Sequence, residues 1–358
     1  MRQLSILAAV LLAAAPAGAK DLLVTIAKPG NLYVFDAAAR ELVKDCPLEV
    51  EMSPAVIQMS PDGTVAYALV NRWEDVIGVN IETCERVFYA AQSEADIKRR
   101  SIASLAVSPD GAEVYTIRNP VKHHSDRYEV MEPEFAVFDT SSGTEAQPVR
   151  TYPAPRRSTV MQTGDDGTVY VGGHDIYAID PASGAVSVKI PNASWEREKY
   201  SPPDVLAFWP VGKQNDEFML MYTAAVFADD AMTEIADFVW GFSSVDLESG
   251  ETTLQDFASL EVLMFSGVRD PNAENLLYGV YTQLSKHDVE TRELIKRVDL
   301  PHTYYVINIS SDGRELYVGG TNDDIGVYDA ETLERIGEML VPSGGDMGTA
   351  TMQIVQAE

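Results

Sequence analysis

Five histidines, two cysteines and three pairs of adjacent aspartates are the residues of this 358-residue sequence with the widest chemical reach. His123 and His124 offer two imidazoles, but chain neighbours rarely close on one ion. No cysteine or third histidine lies near them in sequence. His174 and His287 fall in or beside strand-like segments and read as packed or solvated positions. His302 stands just before such a segment and is the more interesting candidate. Asp165-Asp166, Asp229-Asp230 and Asp323-Asp324 fit turns before they fit calcium, which needs six to eight oxygen ligands at loop spacing. There is no Gly-x-Ser-x-Gly elbow, P-loop, Cys-x-x-Cys-His or dinucleotide fingerprint. The residues themselves assign this chain no catalytic group, no cofactor and no metal.

The elements that would position these side chains come from an internal repeat. A short strand ending in Asp or Asn recurs seven times, at Asp36, Asn80, Asp139, Asp180, Asp246, Asp288 and Asp329. The spacings are 44, 59, 41, 66, 42 and 41 residues. A Ser-Pro-Asp-Gly turn precedes two of them, at Ser60–Gly63 and Ser108–Gly111. Variants occur at Gly164–Gly167, Arg269–Asn272 and Ser310–Gly313. Proline presets φ, aspartate bonds its own backbone and glycine takes positive φ, so these residues build hairpins. A period near 42 with four strands predicts an all-β, seven-bladed propeller of antiparallel four-stranded blades. In blade 2 the strands are expected at 55–60, 64–71, 75–80 and 85–89. Leu22–Ala27, Asn31–Asp36 and Glu41–Val50 supply three strands of a blade lacking its first. Thr349–Gln356 is a lone strand at the other end. Both chain ends are therefore expected to form one closure blade, which removes an open sheet edge.

Leu4–Ala15 is apolar, Arg2 precedes it, and Ala17-Gly18-Ala19 has the small-x-small form of a signal-peptidase site. Residues 1–19 read as a signal peptide and residues 20–358 as one propeller domain, placed outside the cytoplasm. The formal charge is -28, and losing Arg2 would make it -29. Such a surface repels nucleic acid and anionic lipid.

The two long spacings hold four insertions. Ala91–Ser101 and Asn192–Asp204 join a fourth strand to a first. Asn119–Pro133 and Ala224–Asp237 join a second strand to a third. In a propeller these connections share one face, so every long segment is expected there. Long segments in a compact domain tend to be functional. Their aromatic and basic residues make a candidate partner or substrate face: His123, His124, Arg127, Tyr128, Trp195, Arg197, Tyr200 and Phe227, with His302 on the same side. Cys46 and Cys84 fall near the outer rim of neighbouring blades. A disulfide is plausible if their Cα atoms lie within about 7 Å.

Leu316–Gly320 (LYVGG) and Val169–Gly173 (VYVGG) resemble the repeats of bacterial propellers with Tyr-Val-x-x motifs. Through Asp21–Asp36 (DLLVTIAKPGNLYVFD) and Leu300–Gly313 (LPHTYYVINISSDG), the chain is similar to the β subunit of quinohemoprotein amine dehydrogenases. That resemblance implies a periplasmic heterotrimer that oxidatively deaminates primary amines. Cysteine tryptophylquinone would sit on a small γ subunit and haem c on a dihaem cytochrome α subunit. This chain would hold the quinone subunit and help enclose the substrate. The alternative is a stand-alone exported propeller that binds a protein or ligand.

Overall fold

The computed structural model describes residues 20–50, 56–206, 216–342, 344–345, 347 and 351–357. The expected signal peptide lies outside the described residues, as do the edges of two expected strands, Ala55 and 349–350. Seven sheets are arranged as a ring of blades. Blade 1 holds β1 (Lys20–Ala27), β2 (Asn31–Asp36) and β3 (Glu41–Pro47). Blade 2 holds β4 (Ile57–Met59), β5 (Val65–Val70), β6 (Asp75–Asn80) and β7 (Arg86–Ala91). Blade 3 has six strands: β8 (Ile97–Arg100), β9 (Leu105–Val107), β10 (Glu113–His123), β11 (Tyr128–Val130), β12 (Glu134–Asp139) and β13 (Pro148–Pro153). Blade 4 holds β14 (Met161–Thr163), β15 (Val169–Gly172), β16 (Ile176–Ile179) and β17 (Val186–Ile190). Blade 5 holds β18 (Asp204–Leu206), β19 (Glu217–Phe227), β20 (Ile235–Asp246) and β21 (Thr252–Ser259). Blade 6 holds β22 (Ser266–Arg269), β23 (Leu276–Val280), β24 (Gln283–Asp288) and β25 (Glu293–Asp299). Blade 7 holds β26 (Tyr304–Ile309), β27 (Glu315–Gly320), β28 (Asp324–Asp329) and β29 (Arg335–Leu340).

The last strand, β30 (Gln353–Ala357), returns to blade 1 and pairs antiparallel with β1, from Lys20↔Ala357 to Val24↔Gln353. The order β3-β2-β1-β30 is the expected closure blade. Disulfide bonding joins Cys46 in β3 to Cys84, in the turn before β7, with a Cα separation of 5.2 Å.

The turns form as their residues dictate. Ser60 Oγ donates to Asp62 Oδ1 at 2.5 Å, Ser108 Oγ to Asp110 Oδ1 at 2.6 Å, and Ser310 Oγ to Asp312 Oδ1 at 2.7 Å. Gly63, Gly111 and Gly313 follow with φ of 71°, 72° and 73°, where a Cβ would be strained. Core strands face their neighbours through buried rings. Phe88 of blade 2 meets Phe138 of blade 3 edge-on at 6.4 Å, and both are fully buried. Each such burial contributes roughly 2 kcal/mol of hydrophobic stabilisation.

The insertions differ from expectation in one respect. They are partly strand, although Asn192–Asp204 contributes only an isolated bridge at Tyr200 before β18 begins. β10 runs past its pairing with β12 at Arg118↔Glu134 and continues to His123. β8 pairs along one edge of that extension and β11 along the other. In blade 5, β19 and β20 stay paired to Phe227↔Ile235, and residues 199–201 lie along β19 through Tyr200↔Val226. Two insertions on one blade thus meet across the second strand between them and bond its free backbone groups. Blades 3 and 5 each carry such a sheet-built arm.

Candidate docking face and central channel

Both arms rise from the face that carries the fourth-to-first and second-to-third connections. At the blade 3 tip, His123 meets the Tyr128 ring edge-on at 4.7 Å, and His124 Nε2 lies 2.8 Å from Glu129 Oε2. Arg127 pairs with Asp126 at 3.1 Å. Tyr128 is 72% exposed and Val130 68%. The arm's root is ionic: Arg118 is buried and donates to Glu134 at 2.6 Å, and Glu74 of blade 2 takes Lys98 at 3.1 Å.

The blade 5 arm is pinned by a carboxylate that the sequence reading passed over. Asp256 in β21 is buried and accepts from Arg197 at 2.8 and 2.7 Å, Tyr200 Oη at 2.6 Å and Tyr222 Oη at 2.7 Å. The Arg197 guanidinium lies 3.8 Å from the Tyr200 ring centre and 4.8 Å from that of Trp195. Burial pushes the Asp256 carboxyl up, but the bonds from Arg197, Tyr200 and Tyr222 outweigh it and hold it below the usual range. Trp195 donates its ring N–H to Ser201 O at 3.0 Å. The polar ends of Trp195, Arg197 and Tyr200 therefore hold the arm to its blade. Phe227 is half-buried at the end of β19, and Asp229 caps the tip by accepting from Thr233 and Glu234. What the arm offers outward is apolar: Met232, Ile235 and Phe238 are exposed, and so is Leu263 in the connection that follows β21, at 62%.

His302 belongs to a comparable latch. Its Nε2 lies 2.7 Å from Asp324 Oδ1, and its Nδ1 lies 3.0 Å from Thr303 O. Tyr304 Oη and Arg335 also donate to Asp324, at 2.5 and 3.1 Å. Asp324 is thus the first residue of β28 and a buried acceptor, while Asp323 beside it is exposed as a turn residue should be. The same strand start recurs as a polar anchor: Asn31 bonds Asp45, Asp75 takes Asn71 and Tyr89, Glu134 takes Arg118, and Gln283 bonds Asp299. In blades 1, 2, 3, 6 and 7 the residue opening the third strand is thus polar and bonds a neighbouring strand or connection, whereas the Asp or Asn ending it accepts from its own turn.

Of the remaining histidines, His174 is exposed and His287 is buried against Phe257. Among the described residues no group of three or more His, Cys, Asp or Glu could hold a metal ion. No described helix is long and apolar enough to cross a membrane. Neighbouring first strands touch around the ring, including β4 with β9, β9 with β14, β22 with β26, and β30 with both β4 and β26. Between them, at the end with short turns, lies a cavity of about 320 Å³.

No protein-family model and no curated protein matches the sequence. Solved structures do. Hydrazine synthase of Kuenenia stuttgartiensis matches with a TM-score of 0.54 at 15% identity, over 85% of this chain and 90% of that one. The dihydro-heme d1 dehydrogenase NirN matches with a TM-score of 0.54 at 15% identity, over 89% and 73%. Apo AztD of Citrobacter koseri matches with a TM-score of 0.55 at 13% identity, over 95% and 99%. At such identity the likeness is one of fold, and function must be argued from the site: the chain is a seven-bladed propeller with propeller-type structural neighbours.

Proposed function

We propose that this chain is a docking subunit whose two-armed face seats a partner protein, as the non-cofactor-bearing β subunit of a periplasmic quinohemoprotein amine dehydrogenase. The observation that carries the reading is the pair of arms. Each is a paired sheet anchored by buried charge, and each ends in exposed apolar side chains on the same face. Anchoring by Asp256 and Glu134 gives the arms a fixed shape before any partner arrives, which lowers the ordering cost of association. The occupant is the small γ subunit that carries cysteine tryptophylquinone. The dihaem cytochrome α subunit takes the electrons, and the export signal and the Cys46–Cys84 disulfide fit a periplasmic site. On this reading the chain supplies walls and position for oxidative deamination of primary amines, and the reacting groups belong to its partners.

Co-purification tests it. The native complex should contain a haem-bearing and a quinone-bearing chain. Tyr128→Ser with Phe238→Ser should weaken γ-subunit capture by at least about tenfold, the scale of two peripheral anchors lost. A colourless, monodisperse monomer from the native host would end the proposal, as would undiminished capture by the double variant.

A further inference from the structure

The blade 3 arm leaves one sheet edge open. β12 and β11 lie along the same edge of β10, because Thr140 N donates to Ala112 O, Met131 N to Pro120 O and His124 N to Arg127 O, through alternate residues of that segment. β13 covers β12 as far as Pro153, opposite Glu134, and stops there. β11 pairs with β10 alone and has no strand outside it. The same alternation turns the Glu129 backbone toward β10 and the N–H and C=O groups of Tyr128 and Val130 away from it. Those outward groups meet no partner among the described residues. Tyr128 and Val130 are also the two most exposed large apolar side chains described, at 72% and 68%. Glu129 projects to the opposite side of the strand, 54% exposed, with His124 Nε2 at 2.8 Å.

We infer that the outer edge of β11 is a strand-addition site for an extended segment of a partner protein, in which apolar residues alternate with Lys or Arg. The outward N–H and C=O groups bond such a segment whatever its sequence, and the alternate side chains set the preference. Apolar residues of the segment lie against Tyr128 and Val130, and the residue between them faces Glu129. A basic residue there meets a carboxylate, on a chain whose formal charge of -28 draws cationic segments toward it. The same carboxylate argues against a second copy of this chain. Two-fold pairing of β11 with itself sets Tyr128 opposite Val130 and Glu129 directly opposite Glu129, where like charges repel. A short edge with a charge in it resists indiscriminate pairing. The inference rests on the docking reading of the arms and adds how one arm holds its partner.

Residue-resolved amide exchange with the peptide acetyl-Ser-Val-Lys-Val-Lys-Val-Ser-amide tests the inference. Saturable binding at millimolar concentration or tighter is expected. With peptide at about ten times its dissociation constant, the Tyr128 and Val130 amides should slow about tenfold, while Glu129, already bonded to β10, changes little. The peptide with Glu in place of Lys, and the Lys peptide N-methylated at its valines, should each bind at least about tenfold more weakly. Glu129→Lys should reverse the preference between the Lys and Glu peptides. Unchanged exchange at Tyr128 and Val130, equal binding of the three peptides, or a free protein that sediments as a dimer with both amides already protected would overturn it. The peptide assay needs no other subunit, so it is read independently of co-purification. A native complex in which Tyr128 and Val130 still exchange freely would remove strand addition and leave the docking reading standing.

Discussion

A histidine's meaning here depends on what surrounds its ring. His302 is half-buried between Asp324 and the Thr303 carbonyl, and its role is to tie a connection to blade 7. His287 is 1% exposed, packs edge-on to Phe257, and leaves Nδ1 without a partner. Burial drives its pKa down from 6.5 to about 4. The folded state therefore refuses a proton that the unfolded chain accepts. Stability from this residue is complete above pH 6.5 and declines as pH falls toward 4. At pH 5 the loss is about 2 kcal/mol, from 1.36 kcal/mol per unit of pH below the unfolded pKa. Urea unfolding at pH 7 and pH 5 checks this. His287→Gln should lose less stability than the wild type between the two. Parallel losses would mean that His287 does not stay neutral. From sequence His287 is placed in or beside a strand, as a packed or a solvated residue alike, and the fold decides for burial. The bonds of His302, Arg197 and Tyr200 were not legible, because Asp324 lies 22 residues from His302, and Asp256 lies 59 residues from Arg197 and 56 from Tyr200.

At the scale of elements, the third strands were legible and the arms only in part. Their position and shared face follow from where the repeat stretches. Their strand character is masked by Asn119-Pro120, which reads as a turn. Pro120 nonetheless sits inside β10 opposite Arg99, where its carbonyl still accepts from Met131 N. At 11 and 12 residues, β19 and β20 are also about twice the usual strand length. The blade 5 arm depends on close packing at its root. Gly241 lies under the Tyr222 ring, and a Cβ there would collide with it. The same ring carries the hydroxyl that donates to Asp256 at 2.7 Å. Gly241→Ala is expected to destabilise by about 2 kcal/mol through overpacking. Asp256→Ala is expected to cost about 3 kcal/mol, because Arg197 is left without its counter-charge. Arg197→Met in the Asp256→Ala background should recover part of that loss. Denaturant unfolding measures all three. Full additivity of the Arg197 and Asp256 changes would show that the pair is not coupled, and the latch account would fail.

For the whole molecule, ring closure sets the behaviour. Six blades form from continuous chain, and blade 1 takes β30 from the far end. The ends of the repeat made this visible in sequence, since one terminus lacked a first strand and the other held a spare. Blade 1 must wait for a strand more than 300 residues away, so it bears the largest loop-closure entropy of the seven. The Cys46–Cys84 bond spans 38 residues and fastens that blade to blade 2. In the chain-entropy account a bond over such a loop contributes about 4 kcal/mol. Replacing both cysteines by serine should lower unfolding stability by up to that amount. Because β3 then loses its covalent tie, opening should concentrate where closure is non-local. Hydrogen exchange in the double variant should quicken in β1, β2, β3 and β30, while blade 4, built from one continuous stretch far from the bond, keeps its protection. If exchange rose equally in every blade, the seam between the chain ends would not be the weak point of the ring, and the bond would act on the fold as a whole.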